Sequence, residues 1–184
     1  MHKEKLILKL YELGLIKIGH FKLSSGLESN YYIDLRGLVS YPDLLKSIAT
    51  MIYDLAREHY SFDVVAGIAT GGIPLTSFIS CIYSIPMAYV RRKKKTYGTQ
   101  KLIEGDVSSK KVLLVDDVAT TGGSLEDAIR IIRDNGGELS IAIVVVDREQ
   151  GASRKLRNLN VQLLSLIKAK EIFSTLEKHG VKIT

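Results

Sequence analysis

Five short apolar segments, rich in valine and isoleucine, alternate along the chain with segments of helical periodicity. Most of the five are apolar at every position, which is typical of parallel strands covered by helices on both faces of the sheet. The alternation therefore predicts an α/β fold with a parallel sheet core flanked by helices and with right-handed crossovers. We expect the strands at residues 62–68, 86–90, 111–115, 140–146 and 161–166, and helices at 43–59 and 124–135.

The 184 residues predict one domain over 1–184, because domains usually hold about 100–200 residues. The alternating segments occupy residues 41–184. Residues 1–40 differ in character, since a helix at 3–13 is followed by a turn-rich stretch that contains Tyr31 and Tyr32. We interpret residues 1–40 as a small N-terminal hood over the sheet.

No apolar run approaches the roughly 20 residues that a membrane span needs, and the charged N-terminus lacks a signal-peptide pattern. Cys81 is the only cysteine, so an internal disulfide is excluded and no zinc-binding cysteine pattern is present. We therefore expect a cytoplasmic protein with no membrane partner.

The net charge of +6 is concentrated at one place, because residues 91–95 are five consecutive arginines and lysines. The rest of the chain is close to neutral. Such a compact patch favours a small polyanion, such as a phosphorylated metabolite, over a long nucleic acid, whose binding needs a wider basic surface. We expect no nucleic-acid partner. A solvated charge run or an RNA-binding patch is the alternative interpretation of these five residues.

A second feature is the acidic pair Asp116 and Asp117, which directly follows the predicted strand at 111–115. A turn of threonines and glycines comes next, and then a helix. Ligands of open α/β sheets bind outside the carboxyl ends of strands. Free N–H groups, hydroxyls and a helix N-terminus suit a phosphate there. The two carboxylates could accept hydrogen bonds from vicinal hydroxyls or hold a metal-bound water.

An ordinary strand-to-helix turn with a helix cap is the alternative interpretation of residues 118–124. The preceding acidic pair favours a phosphate site instead. The turn lacks the Gly-x-x-x-x-Gly-Lys-Ser/Thr pattern of a P-loop and the Gly-x-Gly-x-x-Gly pattern of dinucleotide-binding folds. A nucleotide-triphosphate or dinucleotide site of either common kind is thus excluded at this turn.

Residues 112–125 resemble the phosphoribosyl-diphosphate motif of type I phosphoribosyltransferases. Two further stretches narrow the resemblance to one family. Residues 21–34, FKLSSGLESNYYID, are similar to the N-terminal signature of orotate phosphoribosyltransferases. Residues 91–99, RRKKKTYGT, are similar to the catalytic loop of that family. The resemblance covers roughly residues 18–150 and implies a type I phosphoribosyltransferase fold.

The resemblance also implies an activity: the ribose 5-phosphate group of phosphoribosyl diphosphate is transferred to orotate. The products are orotidine 5′-phosphate and pyrophosphate, in de novo UMP (pyrimidine) biosynthesis. It implies Mg²⁺ as the cofactor, carried by the diphosphate with no direct protein ligand, although Asp116 or Asp117 could contact it through water. A homodimer with shared active sites is implied as well.

The resemblance assigns roles to three sets of residues. The catalytic set is Lys95, Arg92 and Asp117. The set expected to bind phosphoribosyl diphosphate is Arg91, Arg92, Lys95, Tyr97, Thr70, Gly71, Asp116, Asp117, Val118, Ala119, Thr120, Thr121, Gly122, Gly123 and Ser124. The set expected to bind orotate is Thr120, Arg148, Tyr32, Ile33 and Ser24.

Three of these positions depart from the family pattern, since many members have lysine where this chain has Ser24, Gly71 and Arg92. The first two changes remove possible anion contacts, and the third replaces an ammonium with a planar guanidinium. Two other functions stay open from the residues alone. One is a phosphoribosyltransferase for another nucleobase, and the other is a non-catalytic regulator that senses phosphoribosyl diphosphate and binds nucleic acid.

Overall fold

The computed structural model describes residues 1–22, 28–91 and 101–183. Its helices are α1 (Lys3–Glu12), α2 (Pro42–His59), α3 (Gly72–Tyr83), α4 (Gly123–Asp134), α5 (Ala152–Arg157) and α6 (Ala169–Lys178), with a 3-10 helix at Leu35–Ser40. Its strands are β1 (Ile16–Lys22), β2 (Glu28–Ile33), β3 (Val64–Ile68), β4 (Met87–Val90), β5 (Ile103–Glu104), β6 (Val112–Ala119), β7 (Ile141–Asp147) and β8 (Gln162–Lys168).

The central sheet has six strands in the order β5-β4-β3-β6-β7-β8. All neighbouring strands pair in parallel except β4 and β5 at one edge, which are antiparallel. The prediction of a parallel α/β sheet flanked by helices is thus confirmed. Strand β4 follows β3 in the chain and lies on one side of it, whereas β7 and β8 follow β6 and extend the sheet in the opposite direction. The strand order therefore reverses between β3 and β6, which is where such sheets bind ligands.

The continuous apolar runs follow from burial of both faces of the sheet. In β6, Leu113 and Val115 join the cluster that contains α1, α2, α3 and α6, whereas Leu114 joins the cluster that contains α4 and α5. Successive side chains of a strand point to opposite faces. A strand covered on both sides must therefore be apolar at every position.

Strand β6 is longer than its apolar run. It continues through the acidic pair, where Asp116 pairs in register with Val144, and ends at Ala119 opposite Asp147. The apolar pattern predicted an end at residue 115, because polar residues usually mark the end of a buried strand. Pairing with β7 keeps the backbone extended for four further residues.

Residues 1–40 contain α1, the antiparallel β1–β2 hairpin and the 3-10 helix, so the predicted turn-rich stretch contains a hairpin. Helix α6, which the periodicity did not predict, packs against α1. Ion pairs join the two helices, between Lys3 and Glu171 at 2.8 Å and between Lys178 and Glu4 at 3.0 Å. Within the described residues, none of the helices is long and apolar enough to cross a membrane.

Candidate active site

The segments that follow β3, β6 and β7 meet at the carboxyl edge of the sheet. The Arg148 N–H donates to the carbonyl oxygen of Ala119 at 2.9 Å, which joins the ends of β7 and β6. Gly71, after β3, lies directly against the Asp117 side chain at the end of β6. The structure thereby brings together the residues predicted for phosphoribosyl diphosphate at 70–71 and 116–124 and the predicted orotate residue Arg148.

The two acidic residues at the end of β6 differ in exposure. Asp116 is only 4% exposed, whereas Asp117 is half-buried. The Asp117 N–H donates to Asp116 Oδ1 at 3.0 Å, and the Val118 N–H donates to Asp117 Oδ1 at 2.8 Å. Because adjacent strand residues point to opposite faces, a ligand at the sheet edge meets Asp117 more readily than Asp116.

Three glycines allow the start of α3 to pack closely against strands β3 and β6. A Cβ at Gly72 would lie 2.5 Å from the carbonyl oxygen of Val115, and a Cβ at Gly67 would lie 2.7 Å from that of Gly72. A Cβ at Gly71 would overlap the carboxylate of Asp117. The structure therefore explains why position 71 lacks the lysine of many family members: a side chain there would displace Asp117.

The turn between β6 and α4 has the features of an anion site. Gly122 adopts φ +82°, a left-handed conformation that L side chains rarely adopt. The first backbone hydrogen bond of α4 runs from the Glu126 N–H to the Gly122 carbonyl oxygen at 2.9 Å. The preceding amides at the helix start have no intrahelical acceptor. Open space surrounds the Cβ position of Gly123, so a phosphate could approach these amides.

Arg148 is a buried cation, 9% exposed, that faces the hairpin. Its Nε donates to the Tyr31 hydroxyl at 3.0 Å, and its Nη2 approaches Ser29 Oγ at 3.4 Å. The guanidinium also lies 4.4 Å from the centre of the Tyr31 ring. None of the ion pairs recorded among the described residues includes Arg148. Its contacts are therefore with neutral groups.

Strand β2 places Tyr31 and Tyr32 on opposite faces. Tyr31 packs edge-on against Phe173, with ring centres 4.9 Å apart, and Tyr32 packs against Phe21 at 5.7 Å. The contact of Tyr31 with Arg148 was not predicted by the sequence analysis, although the two-residue period of a strand places Tyr31 on the same face as Ser29. The assignment of Tyr32 and Ile33 to the base pocket stays a prediction; Ile33 belongs to the buried core.

Arg36 forms a bidentate ion pair with Asp34 at the start of the 3-10 helix. Its Nε donates to Asp34 Oδ1 at 2.7 Å, and its Nη2 donates to Asp34 Oδ2 at 2.6 Å. The hydrogen bond from Arg36 holds the pKa of Asp34 below its usual value of 3.8. Asp34 in turn raises the pKa of Arg36, and Tyr32 and Asp117 contribute in the same direction. Arg36 thus interacts with the charge of Asp117 as well as with that of Asp34.

Arg91 lies at the start of the predicted catalytic loop and is held by its neighbours. Its Nη2 lies 3.2 Å from Glu104 Oε1 and donates to the Tyr89 hydroxyl at 3.0 Å. Its N–H donates to the Leu102 carbonyl oxygen at 2.8 Å. The other loop and signature residues to which a role was assigned lie outside the described residues: Ser24, Arg92, Lys95 and Tyr97.

Residues 38–175 match the phosphoribosyl transferase domain family. The chain is also 45% identical to the orotate phosphoribosyltransferase of Sulfolobus acidocaldarius, over 94% of this chain and 87% of that protein. The chain belongs to the orotate phosphoribosyltransferase family. This confirms the resemblance inferred from the three sequence motifs.

Solved structures of orotate phosphoribosyltransferases share the fold. The crystal structure from Aeropyrum pernix is 34% identical with a TM-score of 0.84, and the match covers 95% of this chain and 99% of that one. The Mycobacterium tuberculosis enzyme in complex with 5-phospho-α-D-ribosyl 1-diphosphate is 27% identical with a TM-score of 0.76, over 93% and 98% of the two chains. Each match therefore covers nearly the whole of this orotate phosphoribosyltransferase family member.

Proposed function

We propose that this chain catalyses transfer of the ribose 5-phosphate group from phosphoribosyl diphosphate to orotate. The products are orotidine 5′-phosphate and pyrophosphate, as in the de novo synthesis of UMP. The observation that carries the proposal is Arg148, a buried cation whose recorded partners are a phenol, a serine hydroxyl and an aromatic ring.

A buried guanidinium is costly unless a negative charge accompanies it. Orotate carries a carboxylate, and a carboxylate matches the planar fork of an arginine. Uracil, hypoxanthine and adenine lack this group. Arg148 therefore favours orotate over these other bases, and the hydroxyls of Tyr31 and Ser29 orient its guanidinium.

The carboxyl edge of the sheet supplies the groups that the ribosyl donor requires. The amides at the start of α4 suit the 5-phosphate, and the Asp117 carboxylate suits the ribose hydroxyls. The glycine-rich segment at 70–72 suits the pyrophosphate, since backbone amides can come close to an anion there. In the reaction, the bond between ribose C1 and the pyrophosphate oxygen breaks while the anionic ring nitrogen of orotate bonds to C1. No covalent enzyme intermediate is needed, and catalysis is mainly positioning and electrostatics.

The residues present fit Mg²⁺ as the cofactor. Among the described residues, no group of three or more histidines, cysteines or acids could hold a metal on its own. Mg²⁺ usually keeps several waters and is bound largely through substrate phosphates, and Asp116 or Asp117 would contact it through one of those waters. When bound, Mg²⁺ would neutralise negative charge on the departing pyrophosphate. Lys95 and Arg92 would add positive charge at the same group.

We also propose a cytoplasmic homodimer in which the loop that carries Lys95 completes the site of the neighbouring subunit. The proposal rests on the similarity of residues 91–99 to the family's loop. A chain with one cysteine suits a reducing compartment.

The decisive assay follows the loss of orotate absorbance with phosphoribosyl diphosphate and Mg²⁺, with uracil, hypoxanthine and adenine in parallel reactions. We expect turnover of orotate alone. Turnover of another base in preference to orotate would overturn the base assignment. Binding of phosphoribosyl diphosphate without turnover of any base would favour the regulatory alternative.

A further inference from the structure

The segment that suits pyrophosphate carries no charge of its own. Residues 69–72 are Ala-Thr-Gly-Gly, and the Asp117 carboxylate fills the space beside Gly71. A basic side chain at position 71 is therefore sterically excluded while Asp117 keeps its place. Pyrophosphate has several negative charges, so a cation from another part of the chain that faces this segment would stabilise it, in addition to Mg²⁺, Lys95 and Arg92.

Arg36 is positioned to do so. A cavity of about 190 Å³ lies between the 3-10 helix and the start of α3, and its lining includes Arg36, Thr70 and Gly71. Arg36 is the charged residue of this lining. The remaining residues around the cavity are apolar: Leu35, Leu38, Val39, Leu45, Pro74 and Leu75.

Asp34 fixes the plane of the Arg36 guanidinium without using all of its donors. A guanidinium has five N–H groups, and the two bonds to Asp34 come from Nε and Nη2. The remaining N–H groups have no recorded acceptor among the described residues. The Arg36 side chain is 63% exposed, so an anion can reach these donors without displacing protein atoms.

A second line of support is electrostatic. Asp117 contributes to the raised pKa of Arg36, although Asp34 is the main cause. The guanidinium is therefore close enough to the acidic end of β6 to interact with its charge. That end of β6 is also where the Gly71 segment lies.

We propose that Arg36 binds the pyrophosphate group of phosphoribosyl diphosphate and supplies the cation that position 71 cannot carry. Asp34 is a positioning residue that presents the guanidinium to the Gly71 segment. This inference rests on the proposed function, because it names a further substrate contact in the same site.

The test compares Arg36→Gln with the wild-type chain and with Arg57→Gln. Arg57 is an exposed arginine of α2 and controls for the loss of one positive charge. Calorimetry measures the affinity for magnesium pyrophosphate, and steady-state kinetics measure KM for each substrate. Thermal unfolding checks that all variants fold.

We expect Arg36→Gln to weaken pyrophosphate affinity and raise KM for phosphoribosyl diphosphate by about 10- to 100-fold, the loss expected for one charge-assisted hydrogen-bonding group. KM for orotate and all parameters of Arg57→Gln should change less than about twofold. Arg36→Lys should recover part of the affinity, since it keeps the charge. Asp34→Asn should weaken pyrophosphate binding less, and should add little in the Arg36→Gln background.

Unchanged pyrophosphate affinity in folded Arg36→Gln would overturn the inference. A rise confined to the KM for orotate would also overturn it, by assigning Arg36 to the base. If the wild-type chain binds magnesium pyrophosphate but does not turn over orotate, the proposed function fails. The calorimetric comparison of the two variants then still decides the role of Arg36.

Discussion

The carboxylate of Asp117 fills the space that a side chain at position 71 would need. A Cβ at Gly71 would overlap the Asp117 carboxylate group. The two residues come from different strand ends, after β3 and within β6, and these strands are neighbours in the sheet. The identity of residue 71 therefore determines where the acidic group of residue 117 can lie.

We predict that Gly71→Ala lowers kcat/KM by at least about 10-fold, because the methyl group must displace the carboxylate that is proposed to hold the ribose. The measurement is a double-mutant cycle with Asp117→Ala. Gly71→Ala should cost little further activity in the Asp117→Ala background, since the group it displaces is already gone. Additive losses would show that Gly71 acts independently of Asp117.

A second prediction concerns the base pocket. Arg148→Gln should raise KM for orotate by about 100-fold or more, since a buried ionic partner of the carboxylate is lost. Tyr31→Phe removes one hydroxyl from Arg148 but keeps the ring, so we expect a rise of only about 3- to 10-fold. KM for phosphoribosyl diphosphate should change little in either variant. Equal effects on both substrates would mean that Arg148 supports the fold of the site rather than the base.

Gly122 offers a prediction about stability. Gly122→Ala places a methyl group at φ +82°, with its Cβ 2.9 Å from the Ala152 Cα. Gly180→Ala is the matched control, because Gly180 has φ +81° but no atom near its Cβ position. We expect the control to lose about 1 kcal/mol from backbone strain alone, and Gly122→Ala to lose at least about 2 kcal/mol. Denaturant unfolding measures both free energies of unfolding. Equal losses would show that the contact with Ala152 adds no destabilisation beyond backbone strain.

The Asp34–Arg36 pair predicts a pH dependence of stability. Arg36 lowers the pKa of Asp34 below its usual value of 3.8, against the opposing effect of burial. A carboxyl group whose pKa is lowered by folding stabilises the protein above its unfolded pKa and loses that contribution as the pH falls through its folded pKa. The free energy of unfolding of the wild-type chain minus that of Arg36→Gln should therefore be constant above about pH 5 and shrink below pH 4.

Because both side chains are partly exposed, the difference at neutral pH should not exceed about 1 kcal/mol. An NMR titration of the Asp34 carboxyl carbon provides a direct measurement, with a higher midpoint expected in Arg36→Gln. The same midpoint in both proteins would contradict the pairing.

The shared-site proposal predicts complementation between two inactive chains. Lys95→Ala should lower turnover by about 100-fold or more, since a cation at the leaving group is lost. Asp117→Ala should be inactive because it lacks the carboxylate that is proposed to bind the ribose hydroxyls. Verified mixed dimers of the two variants should recover activity, because one of their two sites is intact. Mixed dimers that stay inactive would indicate sites complete within one subunit.

The sequence predicted the parallel sheet and the acidic strand end because both are local patterns. The alternating apolar segments indicate burial of both sheet faces, and Asp116 and Asp117 stand directly beside such a segment. The length of β6 was not predictable, since its last four residues are extended by pairing with β7 rather than by their own composition. Helix α6 was missed in the same way, because its packing on α1 involves residues far apart in the sequence.

The finer geometry of the site was also outside the reach of pattern analysis. The resemblance assigned Tyr32 to the base, which stays a prediction, and it did not indicate that Tyr31 contacts Arg148. Which of two adjacent tyrosines faces the core depends on the register of the β1–β2 hairpin, which the sequence leaves open. Gly71 was identified as a departure from the family, but its steric relation to Asp117 requires the three-dimensional neighbourhood of β3 and β6.

The contact between Arg148 and the β1–β2 hairpin has a consequence for how such enzymes diverge. Asp117 and the amides at the start of α4, which suit the ribosyl donor, lie at the edge of the central sheet, whereas the groups that orient Arg148 belong to a hairpin whose described residues form a separate two-stranded sheet. Under the proposed function, the groups that orient the base-binding arginine and those that bind the ribose are thus encoded in separate stretches of the chain. A lineage can remodel the hairpin to accept a different base and inherit the donor site unaltered.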